Sequence, residues 1–205
     1  MAGLRERKRQ RTHDAVSAVA IALFLKHGFD RVSVADIAAA AEISKPTLFR
    51  YFPSKEDLVL HRFADHQGEA ARVVGQRPAH LTPLAALREH FLDGLARRDP
   101  VTGLNDHPEV LAFQSLVFGT PSLSARLADY VARDEEALAD ALVQTVGDLT
   151  ARLASAQIVA VRRVLAHRNW RRLAAGETAD GSYDTAKAEA DHAFGLLAAG
   201  LDRSP

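Results

Sequence analysis

The 205-residue chain contains no cysteine, which excludes disulfides, thiolate metal sites and a cysteine nucleophile. It carries no excess charge: 26 basic residues balance 26 acidic ones. It has no long apolar run, since its most hydrophobic segment, residues 15–25, is too short to span a membrane. That segment also fails as a secretory signal. His13 and Asp14 interrupt its junction with the basic start, and it ends in Lys26 and His27 with no small-residue cleavage site. Strand-like alternation and internal repeats are absent. So are a glycine-rich phosphate loop, a nucleophile elbow and a pair of carboxylates at catalytic spacing. The nine histidines lack the i, i+4 pair with a third ligand that zinc needs; His61, Asp65 and His66 do not share one helical face. No metal, no cofactor and no catalytic residue is expected, and a cytoplasmic location is.

The neutral total hides an uneven spread. Residues 1–62 hold eleven Lys or Arg against seven Asp or Glu, whereas residues 63–205 hold fifteen against nineteen. A basic N-terminal module on an acidic body fits a protein that meets nucleic acid with one end only. Residues 1–12 read as a basic, polar arm without structure of its own. Val16, Val19, Ala20, Leu23 and Phe24 then mark the face of a helix that Gly28 stops, with Phe29 tucking back.

Between Ser33 and Leu58 three serines each precede a helical pattern. Ser33 is followed three residues later by Asp36, and Ser54 by Asp57, the spacing of a capping box. Ser44 has Thr47 at that spacing and Pro46 in the first turn, where no amide partner is needed. Val32 with Ile37, and Ile43 with Leu48, are placed as hydrophobic staples. The first helix turns Val34, Ile37, Ala38 and Ala41 inward, and the middle one buries Leu48 and Phe52. The other face of the middle helix shows Lys45, Thr47, Phe49, Arg50 and Tyr51. A basic, hydroxylic and aromatic face suits a major groove, where cations meet phosphates and guanine edges and apolar groups meet thymine methyls. Two short helices across a tight turn, the second so decorated, form a helix-turn-helix.

The run from Arg11 to Leu60 resembles the DNA-binding domain of TetR-type transcriptional regulators. The residues that carry the resemblance are Gly28-Phe29, Ser33-Val34, Ile37-Ala38, Ala41, Ile43-Ser44, Leu48, Tyr51-Phe52 and Pro53 through Leu58. The expected DNA contacts are Arg11, Ser33, Lys45, Pro46, Thr47, Phe49, Arg50, Tyr51 and Lys55, the last at the start of a helix whose amides can hold a phosphate. The chain departs from the family at two places. Glu42 stands where the family usually has glycine, at a turn that asks for a positive φ and costs other residues about 1 kcal/mol. Phe49 stands where tyrosine is frequent, which removes one hydroxyl from the groove-facing surface.

Beyond this module the chain is read as all-α, with about nine helices in total. Residues 1–53 form the DNA-binding domain and residues 54–205 an effector-binding and dimerisation domain. A connector helix is predicted from Ser54 to about Val74, then helices from Thr82 to about Arg98, from Pro108 to Phe118, from Leu123 to about Val146 and from Asp148 to Ala175. A polar loop at 176–183 precedes a last helix from Thr185 to Leu201. The helix after Gly147 carries two apolar stripes, Leu149, Leu153, Ala156, Ala160, Val164 and His167 on one, Ala154, Ile158, Val161 and Leu165 on the other. Two stripes imply burial from two sides, so this helix and the last one are expected to meet their copies across a two-fold axis. The interface expected is Ile158, Val161, Leu165, Phe194, Leu197 and Leu201.

An effector pocket is expected among His90, Phe91, Leu95, Phe113, Gln114, Val117, Phe118 and Trp170, apolar groups with a few polar ones. The partners expected are an operator in double-stranded DNA, a second copy of the chain and a small lipophilic or acyl-type effector, with no membrane. The reading is a ligand-released repressor. Two other classes stay open: an activator or architectural DNA binder without an effector, and an all-α ligand carrier or enzyme whose helix-turn-helix is vestigial.

Overall fold

Helix-forming residues fill the chain, and glycine, proline and capping serines or threonines punctuate it, so the order of elements follows the breakers. The structure, a computed structural model, describes residues 3–64 and 66–199, without the side chains of residues 4–6 and 64. Among the described residues there are ten α-helices, a short 3-10 helix and no strand. They are α1 (Leu4–His27), α2 (Val34–Ala40), α3 (Lys45–Tyr51), α4 (Asp57–Ala64), α5 (Glu69–Gln76), α6 (Pro83–Ala96), α7 (Pro108–Gly119), α8 (Pro121–Val146), α9 (Asp148–Ala174) and α10 (Ala179–Ala199), with the 3-10 helix at Pro100–Thr102. None of the helices among the described residues is long and apolar enough to cross a membrane.

The chain divides into two compact units. The first comprises Met1–Asp65 and Ala112–Ala128, the second His66–Leu111 and Asp129–Pro205. This grouping places α4 and the 112–128 segment with the helix-turn-helix, whereas the sequence reading drew its boundary after Pro53.

In the first unit α1 buries Val16, Ala20, Ile21 and Phe24, at helical spacing. Gly28 ends it at φ 87°, donating its N–H to the Phe24 carbonyl at 2.8 Å. Phe29 turns back so that its ring lies 4.8 Å from that of Phe24. α1 packs on α2 and α4, and α2 on α3. Ile37, Leu48, Phe52, Leu58, Val59 and Leu60 are essentially fully buried, each worth roughly 1.5–3 kcal/mol of burial. Ser17 on α1 donates its hydroxyl to the Leu58 carbonyl at 2.7 Å. Buried Asp57 meets Arg126 at 3.2 Å.

In the second unit α10 lies against α6 and α9, and α5 against α6. Their core contains Val74, Leu87, Phe91, Leu95, Leu138, Ile158, Leu165 and Phe194. The 3-10 turn packs on α9 through Gly103, at φ 73°, where an added Cβ would fall 1.9 Å from the Ala166 carbonyl oxygen. Asn169, buried on α9, donates to the Thr102 carbonyl at 2.9 Å and satisfies the loop from the other side.

Three sequence expectations are corrected. The basic arm is not unstructured, because Leu4 to Thr12 form the first turns of α1. No breaker lies between Gly3 and Gly28, Arg, Lys, Glu and Gln are good helix formers, and Gln10 bonds Asp14 one turn on at 2.9 Å. The single connector from Ser54 to Val74 is two helices. Ser54 caps Asp57 at 3.1 Å, α4 follows, and Gly68 at φ 67° interrupts the run before α5, donating to Asp134 at 2.9 Å. The last helix begins at Ala179 rather than Thr185, because the Asp106 carboxylate accepts the Ala179 N–H at 2.8 Å and Thr178 accepts that of Gly181 at 3.1 Å, which satisfies the orphan amides earlier in the chain.

Candidate nucleic-acid interface

The recognition surface is set by how α2 and α3 are capped. Ser33 accepts the Asp36 N–H at 3.2 Å, and Asp36 accepts the Ser33 N–H at 2.9 Å, a complete capping box. Bonds from the Ser33 side chain and then its backbone hold the Asp36 carboxyl below the usual range. α2 ends at Ala41, and Glu42 then adopts φ 53°, so that Ile43 donates back to the Ala38 carbonyl at 2.9 Å. This is the left-handed stop that glycine usually supplies, here made by a glutamate. Ser44 then caps α3 by accepting the Thr47 N–H at 3.2 Å, with Pro46 in the first turn.

With Leu48 buried beneath it, α3 shows Lys45, Pro46, Phe49 and Arg50 to solvent. Phe49 is 48% exposed, a large apolar ring with nothing in its own unit to cover it. Thr47 and Tyr51 are half-buried at the edges. The Thr47 hydroxyl is engaged with Ser44 at 2.9 Å, and the Arg50 guanidinium lies 5.8 Å from the Tyr51 ring. Arg11 is exposed on α1, and Ser33 is exposed at its cap. Lys55 is different. Its ammonium donates to the Phe29 carbonyl at 2.6 Å and lies over the Phe29 ring at 4.4 Å, so it ties the chain after α3 to the end of α1. Asp57, not Lys55, begins α4.

A second cluster in this unit escaped the sequence reading. His13 on α1 stacks on Phe52 at 4.2 Å and meets the His61 ring of α4 at 4.7 Å. Ligand atoms of His13, Asp14 and His61 all lie within 4.8 Å of one another. Among the described residues this is the group whose donors suit a divalent transition metal. Ser17 gives its hydroxyl proton to Leu58, so the His61 Nδ1 at 3.0 Å carries the hydrogen of that contact and Nε2 is the basic nitrogen of the neutral ring. Searching single helices for paired histidines misses a group that two helices assemble.

The eight expected pocket residues do not fall in one unit. Phe113, Gln114, Val117 and Phe118 belong to the first, where the Phe113 ring lies 6.0 Å from that of Phe63. His90, Phe91, Leu95 and Trp170 belong to the second. There Phe91 and Leu95 are fully buried core, with Phe91 6.1 Å from Phe194, and His90 meets Glu69 at 3.4 Å. Hydrogen bonds from His66 and then His90 hold the Glu69 carboxyl well below its ordinary range.

The expected dimer residues are likewise redistributed. Ile158, Leu165 and Phe194 are buried within the second unit itself, Val161 and Leu197 are half-buried, and Leu201 lies outside the described residues. The stripe left exposed is the other one: Leu149 at 72%, Leu153 at 56% and Val164 at 51%, with Leu196 of α10 at 38%. The period of the sequence identified both stripes, but only packing decides which of them the protomer covers.

Residues 17–61 match the family described as bacterial regulatory proteins, tetR family. The HTH-type transcriptional regulator TcmR of Streptomyces glaucescens is 37% identical over 135 residues, 65% of this chain and 58% of that protein. The putative mycofactocin biosynthesis transcriptional regulator MftR of Mycobacterium tuberculosis is 40% identical over 86 residues, 42% of this chain and 43% of that protein. The chain thus spans about half the length of the curated relatives it matches. Among solved structures, a TetR-family regulator from Streptomyces coelicolor superposes with a TM-score of 0.58 at 19% identity, covering 92% of this chain and 96% of that one. NalD of Pseudomonas aeruginosa, the secondary repressor of the MexAB-OprM multidrug efflux pump, superposes with a TM-score of 0.57 at 18% identity, covering 97% and 100%. At such identities the structural likeness is one of fold.

Proposed function

We propose that the chain, whose residues 17–61 match the tetR family of bacterial regulatory proteins, is a DNA-binding transcriptional regulator, a repressor that grips a palindromic operator as a homodimer and lets go when a small effector binds its second unit. The observation that carries this reading is the face of α3. Lys45, Phe49 and Arg50 stand exposed on a helix whose opposite side, Leu48, is fully buried. An exposed phenylalanine flanked by two cations is placed to meet thymine methyls in a major groove while the cations meet phosphates and guanine.

An operator of two half-sites, about 34 Å apart, needs two copies of α3, and the exposed stripe of Leu149, Leu153 and Val164 with Leu196 supplies a self-complementary apolar face for the second copy. An effector releases DNA only by binding the released geometry more tightly than the bound one. Lys55 supports DNA binding indirectly in this account, by fixing the chain after α3 against Phe29.

The test is a titration of the full chain against duplex fragments that contain its operator. Arg50→Ala is expected to weaken operator binding by about 1–3 kcal/mol while the melting temperature stays put, since the residue is exposed. Unchanged affinity in a folded Arg50→Ala dimer would exclude α3 as the recognition helix. An enzyme or carrier with a vestigial helix-turn-helix would show no salt-dependent preference for any duplex.

A further inference from the structure

The second unit holds a group of partly buried polar side chains, among them one on the inward face of α9, that DNA binding does not use. α9 buries Ile158, Val159 and Leu165. Arg162 follows Ile158 by one turn and precedes Leu165 by one, so it occupies the same inward face and is itself partly buried. Among the described residues no carboxylate oxygen lies within 4.0 Å of its guanidinium and no acceptor bonds it. The acidic groups that face it are Glu69, Asp134 and Asp99, and each has another partner. Glu69 takes His66 at 3.5 Å and His90 at 3.4 Å. Asp134 takes the Gly68 N–H at 2.9 Å, and Asp99 that of Val101 at 3.0 Å. Burial pushes the Asp134 carboxyl up and the Arg162 guanidinium down, as expected for groups in surroundings short of compensating charge.

A second donor also lacks an acceptor. The side-chain amide nitrogen of Gln67, next to Gly68 and Glu69 in the chain, is buried without an acceptor. A guanidinium offers only donors, in a planar fork that matches two oxygens of one anion. A buried donor without an acceptor is costly to keep, and a partly buried guanidinium with no carboxylate within ion-pair distance is placed to take the oxygens of an anion. The neighbouring surface is apolar: Val73, Leu92, Leu111 and Val131 are partly buried against this core.

We propose that Arg162 is the anchor of the effector site, binding the anionic oxygens of an amphiphilic organic acid, a carboxylate on an apolar body, with the Gln67 amide as a second donor. The proposal rests on the reading that the second unit binds an effector, and it names the class. It replaces Trp170 and the residues of the first unit as the polar anchor, and it narrows a lipophilic ligand to a lipophilic acid.

The experiment uses the full chain with four probes: decanoate, decanol, 2-naphthoate and 2-naphthalenemethanol. Binding is followed by calorimetry and by melting temperature. The expected result is that at least one carboxylate binds tenfold or more tightly than its alcohol and raises the melting temperature. Arg162→Met is expected to erase that preference while still binding the alcohol, and to melt at or above the unmodified protein, because it removes an unmatched charge. Arg162→Lys should keep part of the preference, having charge without the fork. Equal binding of acid and alcohol, failure of both acids to bind, or an undiminished preference in Arg162→Met would overturn the proposal. A large fall in melting temperature for Arg162→Met without ligand would assign the residue a structural role instead and overturn it too. Operator binding by the unmodified chain, measured without probes, tests the regulator reading separately: retained there with no acid preference, the anchor alone fails.

Discussion

At the scale of single residues, Glu42 shows how a sequence departure can be read and then measured. A glutamate where a left-handed turn is required predicts strain, and the structure places Glu42 at φ 53°. Glu42→Gly is therefore expected to stabilise the protein by about 1 kcal/mol, less whatever glycine adds to the freedom of the unfolded chain, seen as a higher urea midpoint. A lower midpoint would mean that the glutamate side chain contributes something its backbone conformation does not reveal. Glu189 gives a pH-dependent counterpart. Bonds from Arg168 and then Arg172 lower its carboxyl from an ordinary 4.5 to about 2, with Arg168 at 2.8 Å. A depressed carboxyl stabilises the fold above its unfolded value and loses that contribution as pH falls from about 4.5 toward about 2. Glu189→Gln should lower stability at neutral pH by roughly 0.5–1 kcal/mol, modest because Arg168 is largely exposed, and should flatten the decline in melting temperature below pH 4.5. An unaltered acid limb in the variant would show that other carboxylates govern it. Lys55 marks the limit at this scale: its identity suggested a phosphate ligand, and only coordinates reveal that one of its three N–H donors goes to the Phe29 carbonyl.

At the scale of elements, local signals were legible and long-range ones were not. The caps at Ser33 and Ser44, the stop at Gly28 and the proline-led start of α6 are written in residues within one turn of each other. The start of α10 was missed because its cap, Asp106, lies 73 residues away. The His13 and His61 rings escaped for the same reason, as did Arg162, although its place between Ile158 and Leu165 on a helical stripe was available as a signal. The two stripes of α9 yield a paired prediction. Leu153→Arg, on the exposed stripe, is expected to give a folded monomer. Ile158→Arg, on the buried one, should unfold the chain, since an unmatched buried charge costs several kcal/mol. Sedimentation with far-ultraviolet dichroism distinguishes the two outcomes. A Leu153→Arg protein that sediments as a dimer would place the interface elsewhere.

At the scale of the whole molecule, the charge division survives the change from sequence to structure in kind: a basic unit that displays α3, and a more acidic unit with a partly buried polar cluster. In the proposed function the chain binds specific DNA first and an effector second, and DNA binding can be tested before any effector is known. The direct measurement is a selection of the full chain on a randomised duplex library, followed by a salt titration of the duplex that emerges. The account predicts a palindromic site whose half-sites are about one helical turn apart, bound at least 10³-fold more tightly than unrelated duplex, with log K falling by about 0.9 per phosphate contact for each decade of salt. Recovery of no enriched duplex, or of one whose affinity is indifferent to salt and to Arg50→Ala, would contradict it.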